Sequence, residues 1–131
     1  MSRNEKPASP ESVAAATVAA QAISDKRGED IAVLDLSSLL VVTDVFLIAS
    51  GTSTRHVKTL VDDVEDALRL HDRKPIRREG KEHGEWVLLD YGDLIVHVFD
   101  PETRVYYDLE RLWADAPRID VRVTTATPDA G

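Results

Sequence analysis

Apolar residues recur along the chain at two different spacings, and each change of spacing marks a change of element. Val57, Leu60, Val61, Val64, Ala67 and Leu68 follow the i, i+3, i+4, i+7 pattern of one helix face, leaving Lys58, Asp62, Asp63, Glu65 and Asp66 to solvent. Such a helix packs on a sheet. The run from Asp44 to Ser50 is almost continuously apolar, as in a strand covered on both faces; Gly51 ends it, and Thr52 or Ser53 caps the helix that follows. Ile31 to Leu36 predicts another mostly buried strand, set off from what precedes it by the polar break Asp25 to Asp30, and Ser37 to Val42 predicts a turn or short helix. Glu85 to Asp90 and Asp93 to Phe99 flank Tyr91-Gly92, the pattern of an antiparallel hairpin. Alternation places Trp86, Leu88 and Asp90 on one face of it and Val87, Leu89 and Tyr91 on the other. A short edge strand is expected around Ile76 to Arg78.

Two helix starts share one grammar. Ser9-Pro10-Glu11 and Asp100-Pro101-Glu102 each supply a capping side chain, a proline suited to the first helical position and an acid where the helix dipole favours one. The first opens an Ala-rich helix reaching Ser24. The second opens a final helix to about Trp113 that directs Val105, Leu109 and Leu112, with Tyr106 and Trp113, inward. The order α-β-β-α-β-β-β-α implies an α/β (α+β) fold, a single mixed β-sheet of about five strands with helices packed on it.

Length and charge then narrow the function. With 131 residues the chain has room for one core. The predicted domain spans residues 10–114, between a disordered N-terminal tail, 1–9, and a disordered C-terminal tail, 115–131, where Pro117, Pro128 and a threonine-rich stretch replace the helical pattern. Sixteen Lys and Arg against 24 Asp and Glu leave a formal charge of −8. That disfavours nucleic acid and anionic lipid as partners, because each phosphate contact wants a cation. The lack of cysteine removes disulfides, thiolate catalysis and sulfur-ligated zinc, and it fits a reducing compartment. No apolar run approaches the ~20 residues of a membrane span. The expectation is a soluble cytoplasmic protein with a protein or small-ligand partner.

Candidate chemistry is sparse. The turn Ser50-Gly51-Thr52-Ser53-Thr54 delivers hydroxyls and N–H groups to a helix start, as an anion site does, yet it lacks the lysine and spacing of a P-loop and equally describes an ordinary capped helix. Asp90 and Asp93 flank the hairpin turn; two turn carboxylates make a poor metal cage, and turns select Asp and Gly for backbone reasons. No metal and no cofactor is expected. His97 interrupts an apolar strand and reads as a base, a ligand or a satisfied core residue; no catalytic triad can be assembled around it. Trp86 reads equally as core plug and as interface anchor. Arg69, Arg73, Lys74, Arg77, Arg78 and Lys81 form a basic stretch, but interspersed acids and the lack of aromatics make it a modest RNA contact at best, and a solvated edge otherwise.

Two long blocks resemble a known family. Residues 34–60, LDLSSLLVVTDVFLIASGTSTRHVKTL, look like the TD-x-F-x-I-A-[ST]-G-x-S-x-RH-V pattern of the ribosomal silencing factors, also called the Iojap family. Residues 79–113 resemble the second block of that family, with its EG, W-x-L-x-D-Y-G-D, VH-x-F, R-x-x-Y and LE-x-LW elements. The resemblance implies a cytoplasmic, non-enzymatic translation repressor. It would dock on a protein of the large ribosomal subunit, the fourteenth in bacterial naming, and block joining of the small subunit, particularly under nutrient limitation. It also implies a nucleotidyltransferase-like topology, little direct RNA binding and possible homodimerisation. Carried onto this sequence, it makes Trp86, Leu88, Asp90, Tyr91 and Asp93 the expected partner-binding residues, with Asp44, Arg55, His56 and His97 matching but open to an architectural role. The transferase pattern of Gly-Ser and D-x-D is not kept, because this chain has Gly51-Thr52-Ser53 and two residues between Asp90 and Asp93. The alternatives are a nucleotide-binding or nucleotidyltransferase-like enzyme using the Gly51 turn with Asp90 and Asp93, and a dimeric adaptor for another protein.

Overall fold

Ser9 starts the first helix as its position predicts, its hydroxyl accepting from the N–H of Ser12 and Pro10 following at the first turn. The computed structural model describes residues 7–40 and 42–124. Its elements are α1 (Pro10–Asp25), β1 (Glu29–Asp35), β2 (Val45–Ser50), α2 (Thr54–Arg69), β3 (Arg77–Glu79), β4 (Trp86–Asp90), β5 (Leu94–Phe99), α3 (Pro101–Tyr107) and α4 (Leu109–Leu112). The five strands form one mixed sheet in the order β1-β2-β5-β4-β3. Only β2 and β5 run parallel, in the register Val45 with Leu94 to Ser50 with Phe99.

Both long helices lie on one face of this sheet. Ala15, Ala16, Ala19 and Ala20 let α1 approach closely, and α2 contributes Val57, Leu60, Val61, Val64 and Leu68, all fully buried. They meet Val45, Leu47, Val87, Leu89, Leu94, Val96 and Val98 from the strands. Each large side chain buried there is worth roughly 1.5–3 kcal/mol by removal of apolar surface from water. A second, smaller cluster sits on the opposite face, where Leu34, Leu36, Phe46, Ile48, Phe99 and Ala116 are packed by Leu40, Trp86, Ile95, Leu109 and Trp113.

Two expectations change. The final helix is not continuous to Trp113: Asp108 takes the left-handed conformation at φ 47° and ψ 55° and divides it into α3 and α4. Leu109 and Trp113 do pack inward, but Val105, Tyr106 and Leu112 are 78, 79 and 70% exposed. The cause is Arg104. Its guanidinium turns in to reach Ser50 Oγ at 2.9 Å and Glu110 at 2.8 Å, which rotates the neighbouring apolar positions of α3 toward solvent. The second change concerns the expected tails. Ala8 is buried, and its N–H donates to Asp35. Pro117 and Ile119 hydrogen-bond to β1 on either side of the Leu34–Arg118 bridge, and Ile119, Val121 and Val123 lie against the main core. An unpaired strand edge and an apolar alternation satisfy one another there. The remaining parts of the expected tails, 1–6 and 125–131, lie outside the described residues.

Candidate docking site

Alternation along β4 and β5 gives the sheet a face that α1 and α2 do not reach. Trp86, Leu88 and Asp90 belong to it from β4, each half-buried, beside Ile95, His97 and Phe99 on β5. α4 shelters the Phe46 side through Trp113, whose ring lies 6.0 Å from that of Phe46. Trp86 joins the sheltered part to the open part. Its indole stacks on Phe99 at 5.0 Å and meets Tyr107 at 4.7 Å, and its Nε1–H donates to His97 Nδ1 at 3.1 Å. Tyr107 in turn packs edge-on to Tyr106 at 4.9 Å, so an aromatic run leads from the sheet onto the exposed surface of α3. The core reading of Trp86 describes the side packed on Phe99, and the rest of the ring stays half-exposed, as an interface anchor would need to be.

His97 is held neutral. Because Nδ1 accepts from Trp86, the ring proton sits on Nε2, a buried atom with no hydrogen-bond partner among the described residues. Burial pushes its pKa down to about 4. The ring is enclosed by Phe46 at 4.5 Å and by Trp86. It supports the indole, with no nucleophile bonded to it.

The five expected docking residues divide between the two faces. Trp86, Leu88 and Asp90 share the open one, where Asp90 accepts from the Gly92 N–H at 2.8 Å and from Arg77 Nε at 3.2 Å. Tyr91 is buried with the main core, and Asp93 accepts from Ser12 Oγ at 2.9 Å and pairs with Arg73. Burial pushes the Tyr91 phenol up to about 12, and its hydroxyl has no partner among the described residues. Tyr91→Phe therefore leaves stability at neutral pH unchanged or raises it by up to about 1 kcal/mol. The wild type loses stability between about pH 10 and 12, where the unfolded phenol ionises and the folded one does not, and the variant lacks that loss. Urea unfolding of both proteins at pH 7 and 11 checks this. A clear destabilisation by Tyr91→Phe at pH 7 would mean that the hydroxyl is bonded.

Of the other matching residues, Asp44 and His56 hold parts of the fold together. The Asp44 carboxylate accepts from the Ser9 N–H and Ser12 Oγ, fixing the start of α1. His56 accepts from the Thr52 N–H at 2.9 Å and donates through Nε2 to the Lys26 carbonyl at 2.8 Å, bridging two loops. Arg55 is exposed on the first turn of α2. The Gly51 turn is already engaged: the Gly51 N–H donates to Phe99, that of Thr52 to His56, and that of His56 to Ser53 Oγ. A Cβ at Gly51 would lie 2.9 Å from the Val57 nitrogen, so glycine is needed there for close packing. This turn follows the C-terminal end of β2, whereas Asp93 precedes the N-terminal end of the parallel β5. Seven register steps of about 3.3 Å put Gly51 and Asp93 roughly 23 Å apart along the sheet. Among the described residues no group of three or more His, Asp or Glu is placed to hold a metal.

The basic stretch is largely neutralised internally. Arg69 pairs with Asp66, Arg73 with Asp93, Arg77 with Glu79 and Asp90, Arg78 with Glu65, and Lys81 with Asp62. Sequence reading missed Tyr106 and Tyr107 as surface groups because it counted the apolar stripe of one unbroken helix. The signal was the adjacent pair itself, since neighbouring helical positions lie ~100° apart and cannot both face a sheet squarely.

A family model described as ribosomal silencing factor during starvation matches residues 9–130. The ribosomal silencing factor RsfS of Bacillus subtilis (strain 168) is 41% identical over 104 residues, 79% of this chain and 88% of the relative. The mitochondrial assembly of ribosomal large subunit protein 1 of Mus musculus is 34% identical over 94 residues, 70% of this chain and 41% of that longer protein. The crystal structure of a Chromobacterium violaceum protein superposes with a TM-score of 0.77 at 38% identity, covering 89% of this chain and 97% of the other.

Proposed function

The chain belongs to the family of ribosomal silencing factors, and from that premise we propose that it represses translation by docking on the large ribosomal subunit and sterically blocking the small one. The partner is a large-subunit ribosomal protein, the fourteenth in bacterial naming, met in the cytoplasm during nutrient limitation. One observation carries the docking part of the reading. The sheet face bearing Trp86, Leu88 and Asp90 continues through Tyr107 to Tyr106 as an aromatic surface, half-buried to exposed, outside the core formed with α1 and α2. Large aromatic groups that are partly desolvated before contact are the usual anchors of protein interfaces. The name of the mouse relative ties that protein to the large subunit, which favours the same particle here.

Charge supports a protein partner rather than RNA. The net −8 is repelled by phosphate and attracted to the basic surface of a ribosomal protein. Occupancy suffices for this mechanism, so no bond need be made or broken and no cofactor is required. The enzyme alternative is disfavoured by the engaged N–H groups of the Gly51 turn and its distance from Asp93.

Sedimentation tests the reading. Purified protein added to separated subunits, without added nucleotide, is expected to co-migrate with the large subunit and to deplete the joined ribosome peak. Its affinity is expected to fall as salt is raised. Unchanged subunit joining at saturating protein would sink the proposal. The protein run alone reports whether it dimerises.

A further inference from the structure

Of the elements that carry the proposed docking surface, α3 has the least support of its own. It has seven residues, none of them buried. A helix so short is marginal in water, and Val105, Tyr106 and Tyr107 are weak helix formers. Its start is tied to the sheet: the Asp100 carboxylate accepts from the Thr103 N–H at 2.8 Å, and the Asp100 N–H donates to the Glu85 carbonyl at 2.9 Å. Those bonds fix where the helix begins. Which face it turns to the sheet, and how it meets α4 beyond the left-handed Asp108, must be set further along.

Arg104 supplies that constraint. Its side chain is only 12% exposed and reaches two other elements at once. Nη1 donates to Ser50 Oγ at 2.9 Å, at the end of β2, while Nε and Nη2 hold the two carboxylate oxygens of Glu110, on α4, at 3.2 and 2.8 Å. A planar fork gripping both oxygens fixes orientation as well as distance, which the point charge of a lysine does not. The exposed Arg118, 3.8 Å from the same carboxylate, adds little. Successive helical residues advance by ~100°, so Tyr107, three positions on, returns to within ~60° of Arg104, and Tyr106 lies on the far side. The exposures follow: Tyr107 is 49% exposed with its ring 4.7 Å from Trp86, and Tyr106 is 79% exposed.

We propose that Arg104 is a positioning residue for docking: by clamping α3 between β2 and α4 it sets Tyr107 against Trp86 and turns Tyr106 outward, so that the partner meets a preformed aromatic surface. Arg104 itself is too covered to touch that partner. This role rests on the docking reading above and deepens it. A surface ordered before contact binds more tightly because its side chains need not be ordered on contact.

The test uses the full chain, with co-sedimentation on separated large subunits and the nuclear Overhauser contact between the Trp86 and Tyr107 rings as two readouts. Arg104→Met is expected to weaken binding at least about tenfold and to remove the ring contact, while contacts between β2 and β5 persist. Arg104→Lys, which keeps the charge and loses the fork, is expected to fall between it and the wild type, and it carries both readouts if Arg104→Met does not fold. Arg104→Met with Glu110→Gln separates positioning from stability. It leaves no carboxylate unpaired, so its urea midpoint is expected to return toward that of the wild type, whereas its affinity stays at least about tenfold down. Recovery of affinity together with stability, or wild-type affinity in folded Arg104→Met, overturns the proposal. An unchanged ring contact in folded Arg104→Met overturns it too, and that readout needs no ribosome. Wild-type protein that does not bind large subunits sinks the docking reading instead, and the ring contact then decides whether Arg104 sets the aromatic geometry.

Discussion

Replacing Trp86 with alanine is expected to lower affinity for the large ribosomal subunit by about 30-fold or more while leaving the sheet folded. The magnitude follows from the place of the ring. A central aromatic anchor is typically worth 2 kcal/mol or more to an interface, and 1.4 kcal/mol is tenfold in affinity. Trp86 also bridges Phe99 and Tyr107, so its loss disconnects α3 from the sheet surface that a partner would meet. The fold should survive because Trp86 is half-buried and borders the smaller cluster, outside the core formed with α1 and α2. Trp86→Phe separates the two roles of the side chain. It keeps an aromatic face for Phe99 and Tyr107 but loses the Nε1–H that His97 accepts, so an intermediate affinity is expected. Co-sedimentation with separated large subunits measures both variants, with circular dichroism confirming the fold. If folded Trp86→Ala binds at wild-type strength, the docking surface lies elsewhere.

What could be read from the sequence depended on whether a single period governed the segment. Five of the six apolar positions of α2 and the alternation of β4 report one buried face each, but Ala67 is only half-buried and Glu65, which the spacing leaves to solvent, is buried where it pairs with Arg78. The capping signals at Ser9 and Asp100 were equally local and equally legible. The stretch after the Asp100 cap was not, because its geometry rests on distant partners. Arg104 turns inward only because Ser50, 54 positions earlier, and Glu110 receive it. That single guanidinium decides that Val105 and Tyr106 face solvent. Ile119, Val121 and Val123 alternate plainly enough for a strand, but Pro117 and the following threonines mask the pattern, and the edge they cover is 84 residues away at the Leu34 to Arg118 pair. The docking residues show the same divide. Alternation correctly separates Leu88 from Leu89, but it does not place Asp93, whose side chain follows Ser12 and Arg73 to the helical side.

The second large effect is an acid destabilisation centred on His97. Burial holds its folded pKa near 4, against about 6.5 in the unfolded chain. Between those values the unfolded state takes up a proton that the folded state refuses, so stability falls as pH drops from 6.5 to 4 and is regained as pH rises. A gap of this size corresponds to about 3 kcal/mol, a large share of the ~5–15 kcal/mol that holds a domain together. Protonation would also take Nδ1 away as an acceptor and leave the Trp86 indole N–H facing a cation. Asp35 does not blur the window. Its pKa is lowered, with burial opposed by bonds from Ser37 and Ala8, so its contribution is lost below the usual carboxylate range. Tyr91 acts only in alkali. His97→Gln keeps an acceptor for Trp86 while removing the titration, and urea unfolding at pH 7, 6, 5 and 4 compares it with the wild type. The wild type is expected to lose about 3 kcal/mol over that range through His97, and the variant to lose correspondingly less. Parallel losses in the two proteins would assign the acid sensitivity to other groups. The same comparison bears on docking, because a histidine that must stay neutral to hold Trp86 in place ties the integrity of the proposed ribosome-facing surface to a group buried beneath it.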